Sequence, residues 1–400
     1  MMQANRFKTN KKQTIFIASA IMDAWGGSEE LWAKAVPYLQ QAGFNVVVCK
    51  HFIHHKHKRI AALMNEGVTF LSTAPKKPFR IRLYWRILNQ VRYWLGFRLD
   101  PNKPYFYHSY DSITFKAYLK EYQPQLVLIS QGVNFDGLHY AYVSMEAGVP
   151  YALVSHKAVD FYWPQDHGHR EAIRSIFRNA SHCFFVSQHN KRLTEEQYGL
   201  RLPESRVIFN PVKPTEYIPY PSSEDVFQLC CVGRIFIVEK GQDMLVRVLS
   251  QPKWKSRPIV VKVIGTGPDE TVLKELIELL NVKNIQFCGH VDNVYELWSK
   301  SHALVLPSRT EGLPLVIVEA MMAGRPVITT DAGGNKEFLE EGATAFIGQA
   351  NDVSLEETME RAWENRSRWE EMGKEASRAI RKRVPDNPEK IFADYLLAAL

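Results

Sequence analysis

Residues 304–329 read LVLPSRTEGLPLVIVEAMMAGRPVIT. The stretch begins with a short apolar run, continues through a polar turn that holds Glu311 and Gly312, and ends in an apolar segment of helical length around Glu319. Strand, loop and helix in this order are the unit from which doubly wound α/β sheets are built. Because such sheets bind ligands at the carboxyl ends of their strands, we expect Glu311 to lie at a binding site.

The same alternation of strand and helix continues along the chain on both sides of this stretch. Predicted strands at 15–20 and 45–49 enclose a helix that Ser28 is expected to cap at its amino end and that ends near Gln41. Further strands are predicted at 68–71, 126–130, 151–155, 183–186, 228–232, 259–264, 285–288, 303–306, 327–329 and 345–347. The pattern predicts an α/β protein with two Rossmann-like, doubly wound domains that face each other across a cleft.

The domain boundaries are predicted from a proline-rich bridge and from the end of the chain. The bridge covers residues 210–221. We expect an N-terminal domain at 1–213, a C-terminal domain at 214–384 and a final helix at 385–400. The final segment is apolar and follows a basic stretch.

Composition excludes several classes of protein. The 400 residues are 46% apolar and 23% charged, which is typical of globular domains and not of collagen or disordered chains. No apolar run approaches the ~20 residues that span a bilayer, and residues 15–22 are interpreted as a buried strand rather than a signal peptide. The expected location is therefore cytoplasmic. The five cysteines include no C-x-x-C pair, which favours reduced core thiols over disulfides or a zinc site.

Charge is distributed unequally. Residues 1–215 hold 28 Lys and Arg against 15 Asp and Glu, whereas residues 216–400 hold 22 against 28. Domains of opposite charge suggest different partners, and a basic half can face phosphate, nucleic acid or an anionic membrane.

Several motifs at predicted strand ends carry residues suited to a phosphorylated ligand. Gly233-Arg234 and Lys240-Gly241 place cations where a strand ends and a helix begins, and Gly265-Thr266-Gly267-Pro268 is a glycine turn before another helix. The turn at Gly312 to Leu315 offers backbone amides at the positive end of a helix dipole.

In this order the motifs resemble the family-4 retaining glycosyltransferases of the two-Rossmann-domain type. The resemblance rests on these segments: Gly26-Gly27-Ser28-Glu29, Val186-Ser187, Gly233-Arg234 with Lys240-Gly241, Gly265-Thr266-Gly267-Pro268, Phe287 to Val291, Glu311 with Glu319, Gly324 to Ile328, and Gly333-Gly334 with Glu337. It departs from the family pattern at Pro211, at Asn335 and in the six-residue spacing of Arg234 and Lys240. The resemblance is strong over 183–348.

The resemblance implies that the first domain, 1–213, lies on the acceptor side, that the second, 214–384, binds the nucleotide sugar, and that the final helix, 385–400, returns to the first domain. It also implies a role for most of these residues. Arg234 and Lys240 would bind the diphosphate of a nucleotide sugar, Glu319 its ribose, and Glu311 its sugar. His156 would lie near the transferred sugar, and the remaining donor-binding positions would be Gly26, Gly27, Gly233, Gly265, Gly267, Val291, Gly312, Leu313, Pro314 and Leu315. No metal or other cofactor is implied, and the sequence contains no D-x-D motif.

Each of these assignments has a simpler alternative. Arg234 and Lys240 can be solvated loop charges, Glu319 can be a helix-surface carboxylate, and Glu311 can serve only to orient Lys240 or a loop amide. His156 can be a cleft-wall histidine, and Gly26-Gly27 can be an ordinary turn. The histidines at 54, 55 and 57 lie beside Lys56, Lys58 and Arg59, whose charge disfavours a bound metal.

The segment 76–98 holds seven Lys or Arg, no acidic residue and six aromatic residues. A helix from about Ile81 would have one basic and one apolar side, as helices on anionic membranes do. Packing of its apolar side on the first domain is the alternative.

The sequence therefore predicts a retaining, metal-independent hexosyltransferase that moves a sugar from a nucleotide diphosphate to a saccharide or lipid-linked acceptor, with polysaccharide assembly as the favoured setting and with no nucleic-acid partner. A nucleotide-sugar 2-epimerase-like isomerase of the same fold and a non-catalytic partner subunit are the alternatives.

Overall fold

The computed structural model describes residues 13–74, 87, 90, 91, 94, 107, 109–163, 169–213, 215–222, 226–291 and 293–400. Two parallel sheets, each covered by helices on both faces, form two Rossmann-like domains. The predicted fold class is confirmed.

The first sheet has seven strands in the order β3-β2-β1-β4-β5-β6-β7. The strands are β1 (Thr14–Ser19), β2 (Asn45–Lys50), β3 (Thr69–Ser72), β4 (Leu126–Gln131), β5 (Tyr151–Ser155), β6 (His182–Phe185) and β7 (Arg206–Val207). The helices between them are α1 (Glu29–Gln41), α2 (Lys58–Asn65), α3 (Tyr110–Tyr122), α4 (Leu138–Glu146), α5 (Arg170–Asn179) and α6 (Gln188–Tyr198).

The second sheet has six strands in the order β10-β9-β8-β11-β12-β13. The strands are β8 (Phe227–Val232), β9 (Ile259–Ile264), β10 (Ile285–Gly289), β11 (Ala303–Leu306), β12 (Val327–Thr330) and β13 (Ala345–Gly348). The helices are α7 (Ile237–Lys240), α8 (Gln242–Leu249), α9 (Pro252–Lys255), α10 (Glu270–Leu279), α11 (Val294–Ser299), α12 (Leu315–Met322), α13 (Asp352–Glu364) and α14 (Trp369–Arg381), with 3-10 turns at Asn335–Phe338 and Arg366–Arg368.

Apolar residues on both faces of the central strands explain why the sheets are parallel and buried. In β1 the side chains of Ile15, Phe16 and Ile17 are fully buried, and they divide between the two core clusters that cover the sheet. Strands with continuous apolar sequence are stable only where helices cover both sides. The carboxyl ends of all the strands in a sheet then lie along one edge, which carries the candidate site.

The chain crosses between the domains twice. The first crossing is the proline-rich bridge. Arg325 of the second domain is fully buried, and its guanidinium donates hydrogen bonds to the backbone carbonyls of Ile218 and Pro219 in this bridge. The second crossing leads to α15 (Pro388–Ala398), whose Phe392 and Leu396 are buried with the α1 side of the first sheet. The exact domain boundaries stay a prediction.

Some predicted features differ from the structure or lie outside its described part. Ser28 precedes α1, but its hydroxyl does not cap the helix. Four cysteines are buried thiols, whereas Cys288 is exposed. Within the described ranges, no helix has both the length and the apolar character needed to cross a membrane. The predicted helix of segment 76–98 lies outside the described residues except for Ile87, Gln90, Val91 and Trp94, which are helical.

Candidate functional site

The loops that follow β8 and β9 pack backbone against backbone. A Cβ atom on Gly265 would lie 2.1 Å from the carbonyl oxygen of Gly233, and Gly265 has a φ of +129°. The Ile235 amide donates to the carbonyl of Thr266 at 3.1 Å. Only glycine permits this approach, so Gly265 brings the predicted glycine turn into contact with the loop of Arg234.

Arg234 extends from this loop toward the first domain. Its Nη1 atom lies 3.2 Å from Oδ2 of Asp23, in the turn after β1, and both side chains are more than half exposed. The Arg234 carbonyl accepts a hydrogen bond from Nε2 of Gln242 at 2.9 Å, which fixes the backbone at this position. The guanidinium therefore lies in the cleft between the two sheet edges.

Lys240 lies at the end of α7, on the same loop. Its Nζ atom is 2.6 Å from Oε1 of Glu311, and the same oxygen accepts from Oγ of Ser308 at 2.7 Å. The Glu311 side chain is almost fully buried, whereas that of Lys240 is partly exposed. The structure thus brings together Lys240 and Glu311, and it shows that Glu311 does orient the lysine, as one interpretation of the sequence proposed.

The turn at Gly312 is a point of close contact between the two domains. A Cβ atom on Gly312 would lie 1.8 Å from the carbonyl oxygen of His156, which follows β5 in the first domain. Burial lowers the pKa of the His156 imidazole to about 3, although the Asn210 side chain acts in the opposite direction. The imidazole is therefore neutral near pH 7, which favours hydrogen bonding over the role of a cation or a strong base.

A second contact between the domains involves residues that sequence reasoning missed. Nζ of Lys157, next to His156, forms an ion pair with the Glu239 carboxylate, and the Glu239 carbonyl accepts from the amides of Arg309 and Thr310 at 2.7 and 3.2 Å. Glu239 thus connects the loop of Arg234 and Lys240 to the loop of Glu311 and to the first domain. The feature of the sequence that could have pointed to Glu239 is its position directly before Lys240.

Glu337 makes a third contact between the two domains. Its Oε1 accepts from the backbone amide of His189 at 2.9 Å, at the amino end of α6 in the first domain. A carboxylate is stabilised there by the free amides and the dipole of the helix. The resemblance included Glu337 but gave it no role, and the structure assigns it to the domain interface.

Glu319 lies in α12, about two turns after Glu311 along the chain. Burial raises the pKa of its carboxyl group to about 6, while the charge of Lys213 lowers it. Within the described part of the chain, no side chain donates a hydrogen bond to this carboxylate, so its oxygens can accept from hydroxyl groups of a ligand.

The Gly26-Gly27 turn lies between β1 and α1. The Gly26 amide donates to Oε2 of Glu29 at 3.0 Å, whereas the amide of Gly27 has no partner among the residues that the structure describes. A Cβ atom on Gly27 would meet no atom within 4 Å. Of the two predicted glycines, Gly27 is thus the one whose amide can reach a ligand.

The remaining predicted positions fall at the same edge of the second sheet. Gly267 packs on the Ile235 backbone, and Val291 packs partly buried beside β8 and β11. Leu313 and Pro314 are buried, and Leu315 begins α12. The amides of Gly312 and Leu313 make no hydrogen bond within the described ranges, which leaves two donors at this turn.

In the described ranges, no three His, Cys, Asp or Glu side chains are grouped so that they can hold a metal ion. Of the histidines at 54, 55 and 57, His57 stacks on Trp25 with ring centroids 5.8 Å apart.

Comparison with known proteins agrees with this geometry. Residues 213–379 match the family described as Glycosyl transferases group 1. The chain is 26% identical to an uncharacterized glycosyltransferase of Haemophilus influenzae, over 73% of this chain and 80% of that protein. It is 33% identical to the N-acetyl-alpha-D-glucosaminyl L-malate synthase of Bacillus anthracis, over 23% and 24%.

The fold is also similar to that of Anabaena HepE, crystallised in complex with UDP. The TM-score is 0.71 and the identity 18%, and the match covers 97% of this chain and 100% of HepE. Two Rossmann-like domains of this kind form the GT-B fold, which glycosyltransferases adopt. The predicted resemblance to the group 1 glycosyltransferases is confirmed, and the family match lies in residues 213–379.

Proposed function

We propose that this glycosyltransferase moves a hexose from a nucleotide diphosphate sugar to a saccharide or lipid-linked acceptor, with retention of the anomeric configuration and without a metal ion. The observation that carries the proposal is the position of Arg234 and Lys240. The two cations lie on one loop at the carboxyl end of β8, and Arg234 reaches a residue of the opposite domain. A diphosphate between the sheet edges would lie within reach of both.

The proposed reaction breaks the bond between the anomeric carbon and the phosphate oxygen of the donor. The electron pair of this bond stays on the leaving phosphate, where negative charge develops. The acceptor hydroxyl attacks the anomeric carbon from the same face, and its proton passes to the leaving phosphate oxygen. Preorganised cations stabilise such charge most strongly in the transition state, where it develops.

Other residues would bind the rest of the donor. The Glu319 carboxylate would accept from the two ribose hydroxyls, the amides of Gly312 and Leu313 would donate to the sugar, and the neutral His156 would bond a sugar hydroxyl near the acceptor. A UDP-sugar and a GDP-sugar are the donor classes to test, since HepE binds UDP and a relative from Corynebacterium glutamicum is a GDP-mannose-dependent mannosyltransferase. That relative is 24% identical over 52% of this chain and 59% of its own.

Removing either cation should abolish most of the turnover. For Arg234→Ala and Lys240→Ala, we expect kcat to fall about 100-fold or more, since one lost oxyanion donor typically costs ~3 kcal/mol. The assay is acceptor-dependent release of nucleotide from a panel of UDP- and GDP-sugars. Release without an acceptor, with the sugar epimerised, would instead indicate the 2-epimerase alternative.

The matched controls are Arg192→Ala on α6 and Lys374→Ala on α14, both exposed and distant from these loops in sequence. Their turnover should remain that of the unmodified protein, and circular dichroism should show all four variants folded. Near-normal turnover by both Arg234→Ala and Lys240→Ala would end the assignment of the diphosphate site.

Binding of the donor should depend on pH through Glu319. Because its pKa is raised to about 6, the carboxylate is mostly ionised at pH 7 and mostly protonated at pH 5. A protonated carboxyl accepts more weakly from the ribose, so the affinity for an intact nucleotide sugar should fall about tenfold between these values. Calorimetry measures this dependence.

The control for this dependence is Glu319→Gln, which keeps the shape but does not titrate. Its affinity should be low and flat over the same range, since His156 is already neutral there. A flat profile in the unmodified protein would contradict the assignment of Glu319 to the ribose.

Contact with an anionic membrane is proposed for the segment 76–98. Of its described residues, Ile87, Val91 and Trp94 are helical and 58%, 45% and 70% exposed, which supports a membrane-facing helix over one packed on the domain. The protein should sediment with phosphatidylglycerol vesicles, and Arg82→Glu with Arg86→Glu should weaken this binding severalfold. No sedimentation of the unmodified protein would refute the contact.

A further inference from the structure

A buried ion pair lies beneath the glycine turn of the first domain. Lys50 is the last residue of β2, and Glu29 is the first residue of α1. Their side chains are both 0% exposed, and Nζ of Lys50 contacts Oε1 of Glu29. Lys50 is paired in register with Ser19, the last residue of β1, so the pair lies at the edge of the sheet where the turn begins.

Both oxygens of the Glu29 carboxylate accept hydrogen bonds in this arrangement. Its Oε1 accepts from Oγ of Ser19 at 2.8 Å as well as from Lys50, and its Oε2 accepts from the amide of Gly26 at 3.0 Å. The backbone amide of Glu29 donates in return to the carbonyl of Gly26 at 3.0 Å. Both backbone groups of Gly26 are therefore held by one residue.

Stability alone is a poor explanation for two buried charges. Removing a carboxylate and an ammonium from water is costly, and apolar residues of similar volume commonly replace such a pair with no loss of stability. A buried pair can instead fix one conformation among several. The part of the chain that this pair fixes is the turn between β1 and α1, which lies at the cleft.

We propose that Glu29 and Lys50 are positioning residues for the transfer reaction. By fixing Gly26, the pair sets the conformation of residues 20–28, which we call the β1–α1 turn. This turn contains Gly27, whose amide has no partner among the described residues, and it places Asp23 against Arg234. The inference rests on the proposed function, because Gly27 and Arg234 are there assigned to the donor.

Two double variants separate positioning from stability. Glu29→Leu with Lys50→Met removes both charges and leaves no acceptor for the Gly26 amide. Glu29→Gln with Lys50→Met also removes both charges but keeps a side-chain oxygen for that amide. The control, Lys374→Met with Glu370→Gln, removes an exposed ion pair on α14.

The readouts are the melting temperature, hydrogen exchange of the β1–α1 turn by mass spectrometry, and kcat/KM for whichever nucleotide sugar the unmodified protein turns over. In the Leu/Met variant, we expect an unchanged or higher melting temperature, faster exchange in the turn, and a 10- to 100-fold lower kcat/KM, as small misplacements in an active site commonly cause. The Gln/Met variant should recover most of this loss, and the control pair should change none of the three.

Two results would overturn the proposal. One is equal exchange and equal kcat/KM in both double variants and the unmodified protein. The other is a loss of kcat/KM that follows the melting temperature and is the same in the two variants, because the pair would then be structural only.

A measurement on the unmodified protein keeps the proposal testable if a variant fails to fold. With ¹⁵N-labelled glycine, the amide of Gly26 should exchange more slowly than that of Gly27, and the reverse order would contradict the geometry. This measurement needs no substrate, so it separates failure of the positioning role from failure of the proposed function, which would show as no turnover of any nucleotide sugar.

Discussion

The candidate site depends on one steric constraint: the loops at its centre touch through their backbones, with no side chain between them. Gly312 lies against the carbonyl of His156, and Gly265 lies against that of Gly233. An alanine at Gly312 would push the two domains apart, and one at Gly265 would separate the loops after β8 and β9. The short approach of backbone to backbone brings side chains from strand ends of both sheets into one cleft.

Electrostatic pairing then determines how these side chains are presented. Arg234 contacts Asp23, and Lys240 contacts Glu311. Each of the two side chains proposed to bind the diphosphate is therefore paired with a carboxylate. A diphosphate must compete with these carboxylates. Arg234 is the easier of the two to redirect, because its pair is more than half exposed and such pairs contribute little to stability. Lys240 is held more firmly, because Glu311 is also fixed by Ser308.

Much of the fold could be predicted because the features that identify a strand or a helix lie within a few neighbouring residues of the sequence. All but one of the thirteen strands in the described part of the chain were predicted to within one or two residues, since continuous apolar runs between turn residues identify them. The missed strand, Arg206–Val207, has two residues and therefore no pattern to detect. The hydroxyl of Ser28 was expected to cap α1, but the carboxylate of Glu29 turns back to the preceding loop instead.

Contacts between the domains could not be predicted in the same way. The pairs of Lys157 with Glu239 and of Arg234 with Asp23 join residues 82 and 211 positions apart, and they depend on how the two sheets face each other. The motifs placed Arg234, Lys240 and Glu311 at strand ends, but only the structure shows that Glu311 binds the lysine. For the two pairs that cross between the domains, the choice of carboxylate is decided by domain orientation, for which the sequence contains no local signal.

The most direct test of the account is a crystal structure of this protein with UDP or GDP bound. The account predicts that the guanidinium of Arg234 turns from Asp23 to the diphosphate and that Nζ of Lys240 lies within hydrogen-bond distance of a phosphate oxygen. A nucleotide bound with both side chains directed away from its phosphates, or bound outside the cleft, would contradict it.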